Sequence, residues 1–121
     1  MHWGAQVTKN FALRASDMKP LAVGFGACIA SNRITVDGKP VGYMYREEPD
    51  SVDSPDSGWR FFAGDESDAY SDDPANFAFY NVNTIANYSP DITAYLDAPV
   101  GSAFVRDSDS QKFLPDRIVP R

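Results

Sequence analysis

Short apolar runs, separated by polar segments rich in proline and glycine, predict a series of strands along the chain. The predicted strands cover residues 26–31, 41–46, 58–63, 76–80 and 100–105. In the second of these runs, Val41, Tyr43 and Tyr45 alternate with other residues and are therefore expected on one face. The apolar runs are short, which is typical of strands in a small sheet.

The third run predicts part of the core. Trp59, Phe61 and Ala63 alternate along it and are expected to share one face of their strand. Because the neighbouring runs alternate in the same way, we expect Trp59 and Phe61 to pack against Tyr43 and Ile29.

The strongest turn signal lies between the first two runs. Asp37-Gly38 predicts a tight hairpin turn there, because glycine tolerates a positive φ. The next strand follows Pro40, which has no amide hydrogen to donate to a neighbouring strand. We therefore expect the start of this strand to lie at an edge of the sheet.

After residue 81 the spacing of apolar residues changes from two to nearly four, which predicts a helix. Val82, Ile85 and Ala86 fall on one face of that helix. Residues 89–91, Ser-Pro-Asp, then predict the start of a second short helix. Serine can cap a helix, proline suits the first turn, and aspartate favours the positive end of the helix dipole.

This order of elements predicts an α+β domain with a mostly antiparallel sheet and one or two short helices. The chain has 121 residues, which suits a single compact domain. We place the domain at residues 21–107, an N-terminal extension at 1–20 and a polar, loosely ordered tail at 108–121. Helical spacing in the extension joins Val7, Phe11, Ala12 and Ala15.

Charge narrows the kind of partner. The formal net charge of -6 argues against a nucleic-acid-binding surface and against docking on anionic lipid, because both need clustered Lys and Arg. An acidic chain suits a basic partner, although solubility alone would also explain the charge. The N-terminus shows no signal-peptide pattern, and no run reaches the roughly 20 apolar residues of a membrane helix. A cytoplasmic location is therefore expected.

The residues that most catalytic sites require are scarce in this chain. The only histidine is His2, so a Ser-His-Asp or Cys-His site inside the domain is not predicted. The single cysteine, Cys28, lies in an apolar run and is predicted to be a buried, inert thiol. Zinc sites use sets of Cys and His that this chain lacks, and we predict neither a metal nor a cofactor.

Paired carboxylates leave one catalytic alternative open. Glu47 with Glu48, and Asp65 with Glu66, each follow an aromatic strand. Two carboxylates across a cleft can perform glycosidase or metal-dependent hydrolase chemistry. The acids of residues 65–73 would also suit calcium, but the twelve-residue EF-hand spacing is absent. Acids in such loops are more often only solvated, so we expect binding rather than catalysis.

Three large side chains have both a structural and a partner-binding interpretation. Arg46 and Arg60 lie in aromatic strands flanked by acids. We predict that one of them pairs with Asp65 or Glu66, because the arginine fork suits carboxylates. Trp59 is expected in the core, although exposed Trp, Tyr and Arg side chains dominate binding energy where they occur at interfaces.

Several short sequence motifs resemble those of a bacterial family first described as a domain of unknown function. It was later named as an immunity-protein domain, the thirty-third type, of polymorphic toxin systems. The most specific motifs are Tyr-Met-Tyr-Arg-Glu-Glu-Pro at residues 43–49 and Ser-Gly-Trp-Arg-Phe-Phe at 57–62. Asn-Thr-Ile-Ala-Asn-Tyr at 83–88 and Pro-Val-Gly-Ser-Ala-Phe at 99–104 resemble the same family, and the resemblance covers roughly residues 26–107.

The resemblance implies an immunity-like protein that binds and neutralises a cognate bacterial toxin, and it supplies no catalytic residues. A regulatory or accessory protein-binding module without a toxin is the alternative, and a carboxylate-dependent hydrolase is the third. We expect the partner, a protein with a basic surface, to bind the acidic segment at residues 47–73. The candidate contact residues are Glu47, Glu48, Asp65, Glu66, Asp68, Tyr70, Asp72 and Asp73.

Overall fold

Six strands form one sheet in the computed structural model, which describes residues 9–49, 51 and 53–116. The strands are β1 (Ala27–Ser31), β2 (Tyr43–Arg46), β3 (Asp56–Phe62), β4 (Phe77–Asn81), β5 (Ala103–Arg106) and β6 (Phe113–Asp116). Their order across the sheet is β4-β1-β3-β2-β5-β6. Only β1 and β3 run parallel, and the other neighbours are antiparallel. The predicted α+β class with a mostly antiparallel sheet is confirmed.

The helices are short. They are α1 (Asn32–Thr35), α2 (Asp68–Ser71) and α3 (Val82–Tyr88), with 3₁₀ helices at Ala15–Asp17, Pro74–Asn76 and Pro90–Tyr95. A polar side chain caps each α-helix: Ser31 caps α1, Ser67 caps α2 and Asn81 caps α3. Among the described residues, no helix has the length and apolar character needed to cross a membrane.

The predicted hairpin at Asp37-Gly38 is wrong. The chain leaves β1 directly into α1, and Gly38, with φ +78°, donates its N–H to the Ile34 carbonyl at 3.0 Å. The glycine therefore ends a helix rather than making a strand turn, and positive φ serves both purposes equally well. With α1 in the connection, β1 and β2 form no hairpin, and β1 pairs with β3 and β4.

The predicted edge position of the strand after Pro40 is also wrong. β2 lies between β3 and β5, so both of its sides are paired. Pro40 precedes Tyr43, where the strand starts, and its missing amide hydrogen therefore costs no hydrogen bond of the sheet. The edges of the sheet are β4 and β6.

The core lies between one side of the sheet and a layer formed by α1, α3 and the 3₁₀ helix after Ser89. Trp59 and Phe61 are fully buried there, with ring centroids 6.0 Å apart, and Met44 and Ile85 are fully buried with them. The helix predicted around Val82 is confirmed as α3. A 3₁₀ helix also starts at the predicted position after Ser89, although the serine hydroxyl donates to Asp91 rather than capping the helix backbone.

Two residues predicted for the core, Tyr43 and Ile29, lie on the opposite side of the sheet from it. Tyr43 is registered opposite Phe62, and Ile29 opposite Arg60, so both point away from Trp59 and Phe61.

The predicted common face of Val41, Tyr43 and Tyr45 holds only for the two tyrosines. Val41 is fully buried, and Gly42 interrupts the alternation before β2 begins. A Cβ at Gly42 would collide with the Ala63 carbonyl oxygen, so the two backbones pass at a distance that only glycine allows.

The segment before β1 is held against α3. The side-chain oxygen of Asn83 in α3 accepts the N–H groups of Leu21 and Ala22, each at 2.7 Å. The helical spacing of Phe11, Ala12 and Ala15 corresponds only to a 3₁₀ helix at Ala15–Asp17, and Phe11 and Ala12 lie outside any helix. Val7 lies outside the described residues.

The prediction that the chain after residue 107 is loosely ordered is wrong for β6. This strand pairs with β5 and buries Phe113 against Tyr95, with ring centroids 5.5 Å apart. Phe113 and Leu114 are only two apolar residues between Lys112 and Pro115, a run too short to show a period, so the strand pattern was not visible in the sequence.

Candidate protein-binding face

The side of the sheet opposite the core carries apolar side chains in place of the polar ones that a solvent-facing sheet surface usually has. Register places Phe79, Ile29, Arg60, Tyr45 and Ala103 in one row across five strands. We call this side the aromatic face. Its members are Ile29, Tyr43, Tyr45, Phe62, Phe77, Phe79, Val105 and Leu114.

The rings of the aromatic face form a connected series. Tyr45 stacks on Phe62 with centroids 5.9 Å apart and an interplanar angle of 14°, and Tyr43 lies 6.0 Å from Phe62. Phe62 contacts Phe77 edge-on at 5.7 Å, and Phe77 contacts Tyr70 of α2 at 6.1 Å. The acidic helix α2 is thereby attached to the margin of the face through Tyr70.

Large apolar groups on this face remain open to solvent. Phe79 is 65% exposed, Leu114 47% and Val105 38%. Val105 and Leu114 are paired neighbours near one edge of the sheet, and Phe79 lies on the opposite edge strand. Exposed apolar side chains on one side of a domain often mark a protein interaction site. Sequence reasoning missed the face, although β3 carries a usable signal: the apolar residues Phe61 and Phe62 are consecutive, so they must point to opposite sides of the sheet.

Arg60 lies within the aromatic face and is almost fully buried there, with 8% of its side chain exposed. Its guanidinium donates two hydrogen bonds to Asp56, at 2.9 and 2.7 Å, and one to Glu47 at 2.6 Å. Burial lowers the pKa of Arg60, but the hydrogen bonds and charges of Asp56 and Glu47 outweigh burial and raise it. The Arg60 hydrogen bonds in turn lower the pKa of Asp56.

The predicted pairing of Arg46 or Arg60 with Asp65 or Glu66 is wrong. Arg46 donates to the carbonyls of Ser57 and Ala98, at 2.9 and 2.8 Å. Its guanidinium carbon also lies 5.7 Å from the centroid of the Trp59 ring. Both acids lie beyond the end of β3, whereas each arginine bonds to groups near its own position in the sheet.

Trp59 has a structural position. It is fully buried, and its indole N–H donates to the Leu96 carbonyl at 3.2 Å. In this conformation the ring offers no surface to a partner, and Arg46 packs against it from within the protein.

The eight candidate contact residues separate into two groups. Three acids bond within the protein: Glu47 to Arg60, Asp65 to Arg33 and Lys39, and Glu66 to the backbone N–H groups of Ala63 and Gly64. The hydrogen bond from Arg33 is the largest cause that lowers the pKa of Asp65 to about 2.

The second group lies in and around α2 and just after β2. Glu48, Asp68, Asp72 and Asp73 are exposed, and within the described part of the chain none of them forms a salt bridge. Tyr70 lies among the α2 acids and reaches the aromatic face through Phe77. We call Asp68, Asp72 and Asp73 the acidic rim.

Several carboxylates lie in separate ion pairs in the described residues: Glu47 and Asp56 on Arg60, Asp65 on Arg33 and Lys39, and Asp91 on Arg106. No group of three or more His, Cys, Asp or Glu side chains there is placed to hold a metal ion. The pKa values of Asp56, Asp65 and Asp91 are lowered, whereas a general acid needs a raised one. Cys28 is fully buried, and burial raises the pKa of its thiol to about 12, as expected for an inert core cysteine.

The chain has a single helix layer on one side of its sheet and partly exposed aromatic and aliphatic side chains on the other, an arrangement that would suit a protein-binding domain. The chain belongs to the Imm33 family: the family model described as "Immunity protein Imm33 domain" matches residues 28–115. The match runs from β1 into β6 and therefore includes every strand of the aromatic face. Searches of curated proteins and of solved structures found no match.

Proposed function

We propose that this protein binds a cognate bacterial toxin in the cytoplasm and neutralises it by covering its active surface. Membership of an immunity-protein family supports a protein partner of this kind. The observation that carries the proposal is the aromatic face, because it leaves Phe79, Val105 and Leu114 exposed on one side of the sheet beside half-buried aromatic rings. Aromatic anchors of this sort supply most of the binding energy at protein interfaces.

The charge around the face supports a basic partner surface. The acidic rim places three carboxylates beside Tyr70 that form no salt bridge with any described residue, and the whole chain carries a net charge of -6. Toxins that act on nucleic acid carry basic sites, and opposite charge accelerates association by electrostatic steering. In this proposal the aromatic face provides affinity, while the acidic rim and Glu48 provide speed and orientation.

The first experiment is capture of the partner from the source cell, followed by a toxin assay. Mass spectrometry identifies the captured protein, which is purified and assayed with and without stoichiometric amounts of this chain. We expect its toxic activity to fall in proportion to complex formation. A partner whose activity is unchanged in the complex would favour the regulatory or accessory module instead.

The second experiment locates the site with two matched substitutions. Val105 lies on the aromatic face beside Tyr43, whereas Val23 is 71% exposed in the segment that α3 holds on the helix side. Val105→Lys should weaken toxin binding by at least about tenfold, the effect of about 1.4 kcal/mol at an interface. Val23→Lys should leave binding unchanged. Equal affinities for the two variants would contradict the proposed face.

The third experiment tests the acidic rim. Replacing Asp68, Asp72 and Asp73 with Asn should slow association and reduce its salt dependence, with little effect on dissociation. The free energy of unfolding should change little, because these side chains are exposed and form no salt bridge among the described residues. Asp73 accepts the Ala75 N–H at the start of the 3₁₀ helix Pro74–Asn76, and an asparagine can still accept it. An association rate that ignores both salt and these substitutions would assign the rim to solubility alone.

A further inference from the structure

The edge strand β4 lacks the charged residues, proline and bulge with which sheets commonly block further pairing. Its sequence, Phe-Ala-Phe-Tyr-Asn, contains neither a charged residue nor proline, and its register with β1 is regular throughout. Natural edge strands commonly carry Lys, Pro or a bulge, which prevent association with another strand. The opposite edge follows this rule, because β6 contains Pro115 and Asp116.

The hydrogen-bonding pattern identifies which backbone groups of β4 point outward. The Val82 N–H donates to the Gly26 carbonyl at 2.8 Å, continuing the β4–β1 ladder beyond the strand. In an antiparallel pair, every second residue bonds to the neighbouring strand. Tyr80 and Ala78 therefore face β1, and the backbone groups of Phe77, Phe79 and Asn81 face away from it.

Two of these outward groups already have partners within the chain. The Phe77 N–H donates to the Pro74 carbonyl, and Asn81 is the N-cap of α3, so its carbonyl accepts the first hydrogen bond of that helix. The remaining outward groups are the N–H and carbonyl of Phe79, the N–H of Asn81 and the carbonyl of Phe77. None of these has a hydrogen bond elsewhere in the described residues.

We infer that β4 pairs antiparallel with β4 of a second copy of this chain, about a two-fold axis at Phe79. Each Phe79 N–H then donates to the Phe79 carbonyl of the other copy, and each Asn81 N–H donates to the other copy's Phe77 carbonyl. The same register places the engaged Phe77 N–H opposite the engaged Asn81 carbonyl. Every free group thus meets a free group, whereas an unrelated strand would leave its own groups unpaired opposite the engaged ones.

The side chains and charges of β4 fit the same pairing. Phe79, 65% exposed in the single chain, lies beside Phe79 of the second copy on the same side of the sheet, where cross-strand aromatic pairs are stabilising. The antiparallel arrangement sets the end of β4 near Asp73 against the neutral end at Asn81, which keeps the acidic rims of the two copies apart. Because the axis is perpendicular to the sheet, the two aromatic faces become one continuous surface.

The test is the oligomeric state of the full chain and of two matched variants. Phe79 and Leu114 are both exposed apolar residues of the aromatic face, but they lie on opposite edge strands. In sedimentation equilibrium over a concentration series, the wild type should reach twice the chain mass of 13.3 kDa. Phe79→Lys should remain at the mass of one chain, and Leu114→Lys should behave as the wild type.

Amide hydrogen exchange distinguishes this pairing from association through another surface. The Phe79 and Asn81 amides should exchange more slowly as protein concentration rises, and should lose this protection in Phe79→Lys. A wild type that stays monomeric would overturn the inference. A dimer that survives Phe79→Lys, or one in which these two amides exchange at concentration-independent rates, would overturn it as well.

Discussion

Arg60→Met removes the charge at the centre of the aromatic face while keeping an unbranched side chain of similar length. The arginine forms a two-pronged hydrogen bond to Asp56 and a third hydrogen bond to Glu47, and it also donates to the Trp59 carbonyl at 3.1 Å. The methionine preserves the apolar stem but leaves Asp56 as an uncompensated charge, with only 13% of its side chain exposed.

The expected loss of unfolding free energy follows from these exposures. Breaking a buried ion pair by removing one partner costs about 3–5 kcal/mol, because the remaining charge stays desolvated. Asp56 keeps a hydrogen bond from the Gly58 N–H, and Glu47, at 40% exposed, can turn to solvent. We therefore expect about 3 kcal/mol, the lower end of that range, with most of the cost arising at Asp56.

Urea unfolding at neutral pH, followed by circular dichroism and tryptophan fluorescence, measures this loss as a lower midpoint at constant slope. Adding Asp56→Asn to Arg60→Met removes the orphaned charge and should restore at least about 1 kcal/mol. A loss below about 1 kcal/mol in Arg60→Met would mean that the ion pairs of Arg60 stabilise the protein no more than exposed surface ion pairs do. A double variant less stable than Arg60→Met would show that the Asp56 charge is not the source of the cost.

Three further outcomes test the core and its ionised groups. Trp59→Ala should lower the unfolding free energy by about 3–5 kcal/mol, since it empties a fully buried site, and an unchanged thermal melt would place the ring outside the core. The lowered pKa values of Asp56 and Asp65 mean that their stabilisation is fully present above about pH 4, the unfolded value, and is lost as pH falls through the lowered values. The urea midpoint should therefore fall in acid, and Asp65→Asn should reduce that fall; a midpoint independent of pH between 5 and 2 would contradict both assignments. Cys28, with its pKa raised to about 12, should resist thiol reagents at pH 8 until the protein unfolds, whereas labelling as fast as in urea would show an accessible thiol.

The acidic segment illustrates which parts of the candidate site were predictable. Its exposed acids around α2 follow from composition, because a run of Asp and Ser without apolar periodicity has nothing to bury. The sequence did not reveal that Glu47 and Asp56 enclose Arg60. The spacing alone carried no such signal, because residues four apart in a regular strand lie about 13 Å from each other. The register of β3 against β1 shifts between Asp56 and Arg60, and Gly58 has φ +88° there, so an irregularity of the strand accompanies the contact.

The sequence by itself determined the positions of the first strands, the helix at Val82, the burial of Trp59 and the membership of the immunity-protein family. These features depend on the alternation of apolar residues, on capping residues and on short sequence motifs, all of which involve residues close together in the chain. Only the tertiary structure decided that β1 and β3 run parallel, that β6 completes the sheet and that an aromatic face remains open. Strand pairing joins residues far apart in sequence, and β3 lies between β1 and β2, where the expected hairpin would have paired β1 with β2 directly. That pairing decides which apolar residues point away from the core. It therefore also decides which surface is proposed to bind a toxin.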